Sequence, residues 1–274
     1  MKFTGRVVVV TGAAAGIGLC LVRAFAKLGA TVYATDVDEL GLKNLNNQAA
    51  QEGWDVHSRA GDVTDEQSLR DLANQVLRES GQLDYWVNNA GIQQMGRFTD
   101  MTPKQWNRII QVNLTAVINA TRVALELMQQ RGCGQIINIA SCAGHIPAPY
   151  MTAYTASKHA VVGFTRALNA ELAMENSPIQ TMLVSPGFVE TKIIERGAEL
   201  GFPNWLSFML STPEVVAQSV IDGIKRNKPE VFPTLNGKLM LAMHHWAPKS
   251  TIRSSRILLT KSLKDLVLNR YQLP

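Results

Sequence analysis

Thr11-Gly12-Ala13-Ala14-Ala15-Gly16-Ile17-Gly18 follows a valine-rich run, Arg6–Thr11, and precedes a segment with helical spacing of apolar residues, Leu19–Leu28. A short β-branched run of this kind reads as a buried strand. Glycines between such a strand and a helix permit a tight turn and let backbone approach a bound group closely. The free N–H groups and positive dipole end of the helix then suit a pyrophosphate. The spacing is G-x-x-x-G-x-G rather than G-x-G-x-x-G. The loop alone is weak as a signal, and its strand–loop–helix setting gives it weight.

Further strand candidates follow at Thr31–Asp36, Trp54–Ala60, Leu83–Asn88, Gln135–Ala140, Ile179–Ser185 and Glu230–Phe232. Segments with helical periodicity lie between them, among them Ser68–Glu79 and Pro103–Gln130. Alternating strands and helices predict an α/β fold: a doubly wound parallel sheet of about seven strands with helices on both faces. The composition changes after Pro233, so the expected division is a sheet domain at 1–233 and a helical, basic extension at 234–274. In that extension Leu239, Met240, Met243 and Trp246 share one helical face, and Leu259, Leu263 and Leu266 share another.

Composition excludes several classes. Hydrophobic residues are 46% of the 274, enough for a sizeable core. The apolar run Val7–Val10 is too short for a signal peptide, and no stretch reaches the roughly 18 apolar residues of a membrane span. Three cysteines, Cys20, Cys133 and Cys142, without a Cys-x-x-Cys pair argue against a disulfide framework or a metal site and for a reducing, cytoplasmic setting. The net charge is +5, but residues 234–274 hold seven Lys/Arg against one Asp, a balance of +6, which leaves −1 for the rest. A nucleic-acid groove across the main domain is not expected.

Asp36 ends the second strand, 24 residues after Gly12. A carboxylate there accepts hydrogen bonds from the adenosine ribose hydroxyls and repels a 2′-phosphate. Ala15, not a basic residue, precedes Gly16. Both features favour NAD over NADP.

With these residues in place the sequence resembles the short-chain dehydrogenase/reductase family, whose fold is the Rossmann type. Asp62-Val63 is similar to its adenine-contacting pair, Asn88-Asn89-Ala90-Gly91 to its motif after the fourth strand, and Pro186-Gly187 to its turn after the sixth. The resemblance implies cofactor contacts from Gly12, Ala14, Gly16, Ile17, Gly18, Asp36, Asp62, Val63, Asn89, Ala90, Gly91, Pro186, Gly187, Val189 and Thr191. It covers residues 5 to about 233 and leaves the extension uncovered.

Tyr154 and Lys158 are four residues apart in a helical segment and so share a face. An ammonium beside a phenol favours the phenolate and lowers its pKa from near 10, so that it can exchange a proton with an alcohol or alkoxide. Ser141, just past the fifth strand, can hydrogen-bond the substrate oxygen. The resemblance further implies that Lys158 and Tyr154 contact the cofactor and that Asn113 holds a water linking Lys158 to solvent. Hydride transfer between the nicotinamide and an alcohol carbon is the reaction it implies.

The segment after Gly187 is rich in apolar residues, including Phe188, Ile193, Phe202, Trp205 and Leu210. A hydrophobic secondary alcohol or ketone is the expected substrate, with Gln93, Ala143, His145, Met151, Phe188 and Trp205 as pocket candidates. Three readings of 234–274 stay open: a flap over the pocket or an interface, a peripheral membrane contact, and a solvated helix. The rivals for the whole chain are an idle dinucleotide-binding sensor or scaffold and a membrane-associated lipid- or steroid-type dehydrogenase. By resemblance, a homodimer or homotetramer built on helices within 103–131 and 154–176 is expected.

Overall fold

The computed structural model describes residues 3–189 and 211–246. Seven strands, β1 (Val7–Thr11), β2 (Thr31–Asp36), β3 (Val56–Ala60), β4 (Tyr85–Asn88), β5 (Gly134–Ile139), β6 (Ile179–Val184) and β7 (Glu230–Val231), build one sheet. Every pairing is parallel, in the order β3-β2-β1-β4-β5-β6-β7. The order reverses between β1 and β4. In open α/β sheets the crevice outside the strand carboxyl ends at such a switch point is where ligands bind.

The helices are α1 (Gly16–Lys27), α2 (Glu39–Glu52), α3 (Glu66–Ser80), α4 (Pro103–Ile110), α5 (Ala116–Arg131), α6 (Thr152–Met174), α7 (Pro213–Lys225) and α8 (Leu235–Trp246). The uninterrupted valines of β1 follow from helices on both faces. Val8 and Val10 enter a cluster with Leu21, Phe25 and Val220, whereas Val7 and Val9 pack with Leu72, Trp86 and Val123. Asp38 caps α2 at Gly41 N and Asp65 caps α3 at Gln67 N, satisfying amides that helix geometry leaves free.

The stretch read as one helix over 103–130 is interrupted. Gln111–Thr115 winds as a π-helical turn between α4 and α5. Within it Asn113 is fully buried, and its amide bonds both backbone groups of Ile92: Nδ2 donates to Ile92 O (2.9 Å) and Oδ1 accepts from Ile92 N (2.8 Å). A local π turn re-aims one side chain without ending the helix.

A buried polar chain crosses the middle of the sheet. Trp86 Nε1 donates to Asn88 Oδ1 (2.9 Å), Asn88 Nδ2 to Asn138 Oδ1 (2.8 Å) and Thr121 Oγ1 (3.1 Å), and Asn138 Nδ2 to Thr165 Oγ1 (3.0 Å). Each buried group is satisfied, so breaking one link leaves others without partners. Asn138→Leu is therefore expected to lower unfolding free energy by about 2–4 kcal/mol in urea denaturation, against about 0.5 or less for Gln130→Ala on the surface.

Candidate active site

The glycine loop is pressed into place from two sides. Gly12 has φ +64°, and a Cβ on it would stand 2.7 Å from Ala90 Cα; one on Gly18 would overlap the Gly12 carbonyl oxygen. Asn89 Nδ2 donates to Thr11 O and Gly12 O, both at 3.0 Å, while Thr11 Oγ1 accepts from Asn89 N (3.0 Å) and Ala90 N (3.1 Å). Sequence reading did not single out Thr11. Its one signal was a hydroxyl closing a strand of valines. Unlike α2 and α3, α1 has no capping side chain, and its first turn has no acidic residue. A cradle of small residues facing uncapped amides fits the pyrophosphate of a dinucleotide.

Asp36 stands at the end of β2, half-buried. Its Oδ2 accepts from Ala14 N (2.9 Å) and its Oδ1 from Asp38 N (3.0 Å). The carboxylate therefore ties the glycine loop to the β2 turn, a role the sequence did not indicate, and each oxygen keeps further acceptor capacity. Asp62 is bonded by Thr64 N (2.9 Å), Thr64 Oγ1 (2.7 Å) and Arg108 Nη2 (3.1 Å). Burial raises its pKa, but these partners outweigh burial and hold the carboxyl below its usual range. Val63 packs against the core cluster beside it.

At the end of β5, Ser141 caps the short turn Cys142–Gly144, its Oγ accepting from Ala143 N (3.1 Å), and its hydroxyl acts to lower the pKa of the neighbouring Tyr154 phenol. Gly144 packs on α6 so closely that a Cβ would stand 2.7 Å from Lys158 O. Lys158 is only 4% exposed; its Nζ donates to Ile139 O (2.9 Å) and lies 5.8 Å from the Tyr154 ring centre. Ser157 joins the group unanticipated, donating to Tyr154 O (2.6 Å) and accepting from Asn113 Nδ2 (3.1 Å). A methyl at Gly91 would stand 3.4 Å from Asn113 Oδ1 and 3.6 Å from Lys158 Nζ. Asn113, Ser141, Tyr154 and Lys158 thus gather at one place, beside the Asn89-Ala90-Gly91 segment that braces the loop.

The electrostatics differ from the sequence expectation. Burial pushes the Tyr154 phenol up to about 12, with the Ser141 hydrogen bond acting against it. Burial also pushes the Lys158 ammonium down to about 8. The ammonium points at a carbonyl and sits over the ring rather than at the phenol oxygen, so desolvation outweighs charge stabilisation among the protein's own groups.

Among the pocket candidates, Gln93 Nε2 meets Met151 Sδ at 3.7 Å, Ala143 is buried, and Phe188 is 42% exposed. His145 has neighbours other than a pocket: its Nε2 lies 2.9 Å from Ser185 Oγ, Glu230 Oε1 is 3.8 Å away, and Phe232 packs on its ring. It braces the turn after β6 from within. Pro186 O accepts from Cys142 N (2.7 Å), joining that turn to the Ser141 loop. Val189 pairs with Ser211; Thr191 and Trp205 lie outside the described residues. Two shallow clefts, one lined by Gln135 and Asn169 and the other by Arg6 and Cys133, hold none of the site residues.

A parallel sheet with a glycine cradle at its switch point, and a Ser–Tyr–Lys group beside it, defines a dinucleotide-linked oxidoreductase. The chain belongs to the short-chain dehydrogenase/reductase family: the short chain dehydrogenase profile matches residues 6–199. It is 35% identical over 225 residues to the 3-oxoacyl-(acyl-carrier-protein) reductase FabG of Thermotoga maritima, covering 81% of this chain and 91% of that one. Its backbone is similar to a family member from Burkholderia phymatum solved with NAD (TM-score 0.81, 26% identity, 91% and 96% of the two chains). An actinorhodin polyketide ketoreductase variant solved with NADPH is also similar (TM-score 0.77, 31% identity, 85% and 97%).

The buried lysine makes stability depend on pH. Its folded pKa is depressed to about 8 from an ordinary 10.5, so between those values the unfolded chain binds more protons and stability rises with pH. The Tyr154 pKa, raised to about 12, acts oppositely but only above pH ~10. Between pH 7 and 10 the protein should gain roughly 2 kcal/mol relative to Lys158→Met in chemical denaturation. An unchanged difference would show that the folded lysine titrates normally.

Proposed function

We propose that this protein is an NAD-linked dehydrogenase or ketoreductase that interconverts a small hydrophobic secondary alcohol and its ketone, with Tyr154 as the proton donor and acceptor. The observation that carries the proposal is the convergence of Ser141, Tyr154, Lys158 and Asn113 beside the glycine cradle. Ser141 orients the substrate oxygen toward the phenol and stabilises charge developing on it. Tyr154 hands that oxygen a proton in reduction and takes it back in oxidation. Lys158, buried and near its titration point, holds charge close to the ring, while Asn113 and Ser157 fix the α6 turn that carries both. A bound nicotinamide supplies or accepts the hydride, and its oxidised ring favours the phenolate. Gly12, Ala14, Gly16, Ile17 and Gly18 would hold the phosphates. Gly91, Gly187 and Val189 would serve the nicotinamide end, and Asp62, Val63, Asn89 and Ala90 the adenosine side; Thr191, outside the described residues, is assigned to the nicotinamide end by resemblance alone. Asp36, with Ala15, supports NAD over NADP, because a 2′-phosphate beside that carboxylate is repelled. Ketone reduction agrees with the reductase activities named for FabG and the polyketide ketoreductase.

Partly exposed Trp106 on α4 and Ile118 on α5 support a homodimer or homotetramer. We place the enzyme in the cytoplasm. A second reading adds peripheral membrane contact, because Leu235, Leu239, Met243 and Trp246 are exposed at 81%, 55%, 46% and 85% along one side of α8. The tail that follows is basic, which suits anionic lipid.

Following NADH absorbance with a panel of hydrophobic ketones tests the main reading. Tyr154→Phe should reduce kcat ~100- to 10,000-fold with NADH affinity retained; near-native turnover would remove Tyr154 from the chemistry. In the same assay NADH should exceed NADPH in kcat/KM by roughly tenfold or more, and Asp36→Ala should narrow that ratio. Equal preference in the unsubstituted enzyme would overturn the cofactor assignment. For the membrane contact, Leu239→Glu with Met243→Glu should weaken co-sedimentation with phosphatidylglycerol vesicles; equal sedimentation removes it.

A further inference from the structure

The start of the C-terminal extension is built into the main fold. Thr234 is 1% exposed and Asn236 8%. Thr234 Oγ1 accepts from Gly187 N (2.9 Å) and Gly237 N (3.2 Å) and donates to Asn236 Oδ1 (2.6 Å). One hydroxyl thereby fills its one donor and two acceptor positions. Asn236 Nδ2 donates to Phe188 O (3.0 Å), the carbonyl that also accepts from Ser211 N (3.0 Å). A Cβ on Gly187 would overlap Asn236 Oδ1 and stand 2.7 Å from both Gly237 N and Thr234 Oγ1. From the other side, Ser185 meets His145, and Pro186 O receives Cys142 N. The turn at 185–188 is therefore held between the Ser141 loop and the residues that open α8.

We infer that Thr234 and Asn236 are positioning residues for the dinucleotide's nicotinamide end: they clasp Gly187 and Phe188 and so set the turn against which the ring lies. This rests on the reading of Gly187 and Val189 as cofactor contacts. The location supports it. Phe188 O accepts from Ser211 N (3.0 Å) and Val189 bridges to Ser211. A displacement at Gly187 is passed directly to that pairing. A threonine that merely capped α8 would need Gly237 N alone; this one also binds Gly187 N, 47 residues away in sequence.

The test compares Thr234→Val, Thr234→Ser and Asn236→Leu with Ala242→Pro, which disrupts α8 beyond the clasp, its ring meeting the carbonyl of Lys238. All are made in the full chain. Two readouts are taken: hydrogen exchange at the amides of 187–189, and the Kd for NADH. Valine keeps the shape of threonine and leaves Gly187 N without an acceptor. Thr234→Val and Asn236→Leu should speed exchange at 187–189 and weaken NADH binding roughly tenfold. Thr234→Ser should restore both, and Ala242→Pro should leave NADH affinity unchanged. The clasp is overturned if Thr234→Val matches the unsubstituted protein in either readout, or if Ala242→Pro weakens NADH as much as Thr234→Val. If the unsubstituted protein binds neither NADH nor NADPH, the cofactor reading fails and the positioning role with it. The exchange data would then still report whether the turn is clasped.

Discussion

A lysine ammonium with almost no solvent around it is the constraint on which the rest of the site depends. Lys158 is 4% exposed and carries its Nζ to the Ile139 carbonyl at the end of β5. A charge so desolvated must be held by fixed dipoles or give up its proton, and this one does some of each. Satisfying it draws α6 across the strand ends, which requires the close Gly144 contact and places Tyr154 one turn back over the Ser141 loop. The same demand reaches the other wall. Asn113 lies in the π turn at 111–115, and its amide ties Ile92 to Ser157 beneath Tyr154.

The balance of effects at Tyr154 has a functional side. Burial raises the phenol above its ordinary range, and the Ser141 hydroxyl acts against burial. The ammonium lies over the ring, 5.8 Å from its centre. Under the role proposed for Tyr154, such a phenol is poised as a donor, and a positive charge bound beside it would favour the acceptor form.

How much of this could be read in the sequence depended on whether the signal was local. The inner strands were the most legible because burial on both faces makes parallel strands near-continuous apolar runs, as the five residues of β1 show, whereas the edge strands β3 and β7 are only partly buried. Tyr154 and Lys158 were legible because helical spacing alone puts them on one face. The break at 111–115 was not, since the periodicity of 103–130 hardly changes when one extra residue is taken into a turn, and Ile92, the partner of the Asn113 amide there, is 21 residues away. Thr11 and Ser157 were missed for a related reason: the 89–90 amides and the Asn113 side chain reach their hydroxyls only through the fold. Asp36 could be placed at the end of β2 by position, but its hold on Ala14 N depends on how the loop folds back.

The C-terminal extension shows why a change of composition is a poor guide to where a fold stops. At 233 the sequence turns from mixed to basic and amphipathic, which reads as a boundary. The hydrogen bonds run across that point. Thr234 and Asn236 are buried against Gly187 and Phe188, while from Leu239 onward the helix presents apolar residues to solvent. The first turn of α8 is thus tied to the turn at 187–188 by two side chains, Thr234 and Asn236, while its later turns stay exposed. A buried hydroxyl and amide whose partners lie 47 and 48 residues away must stay with the fold, because leaving those groups unpaired would cost free energy.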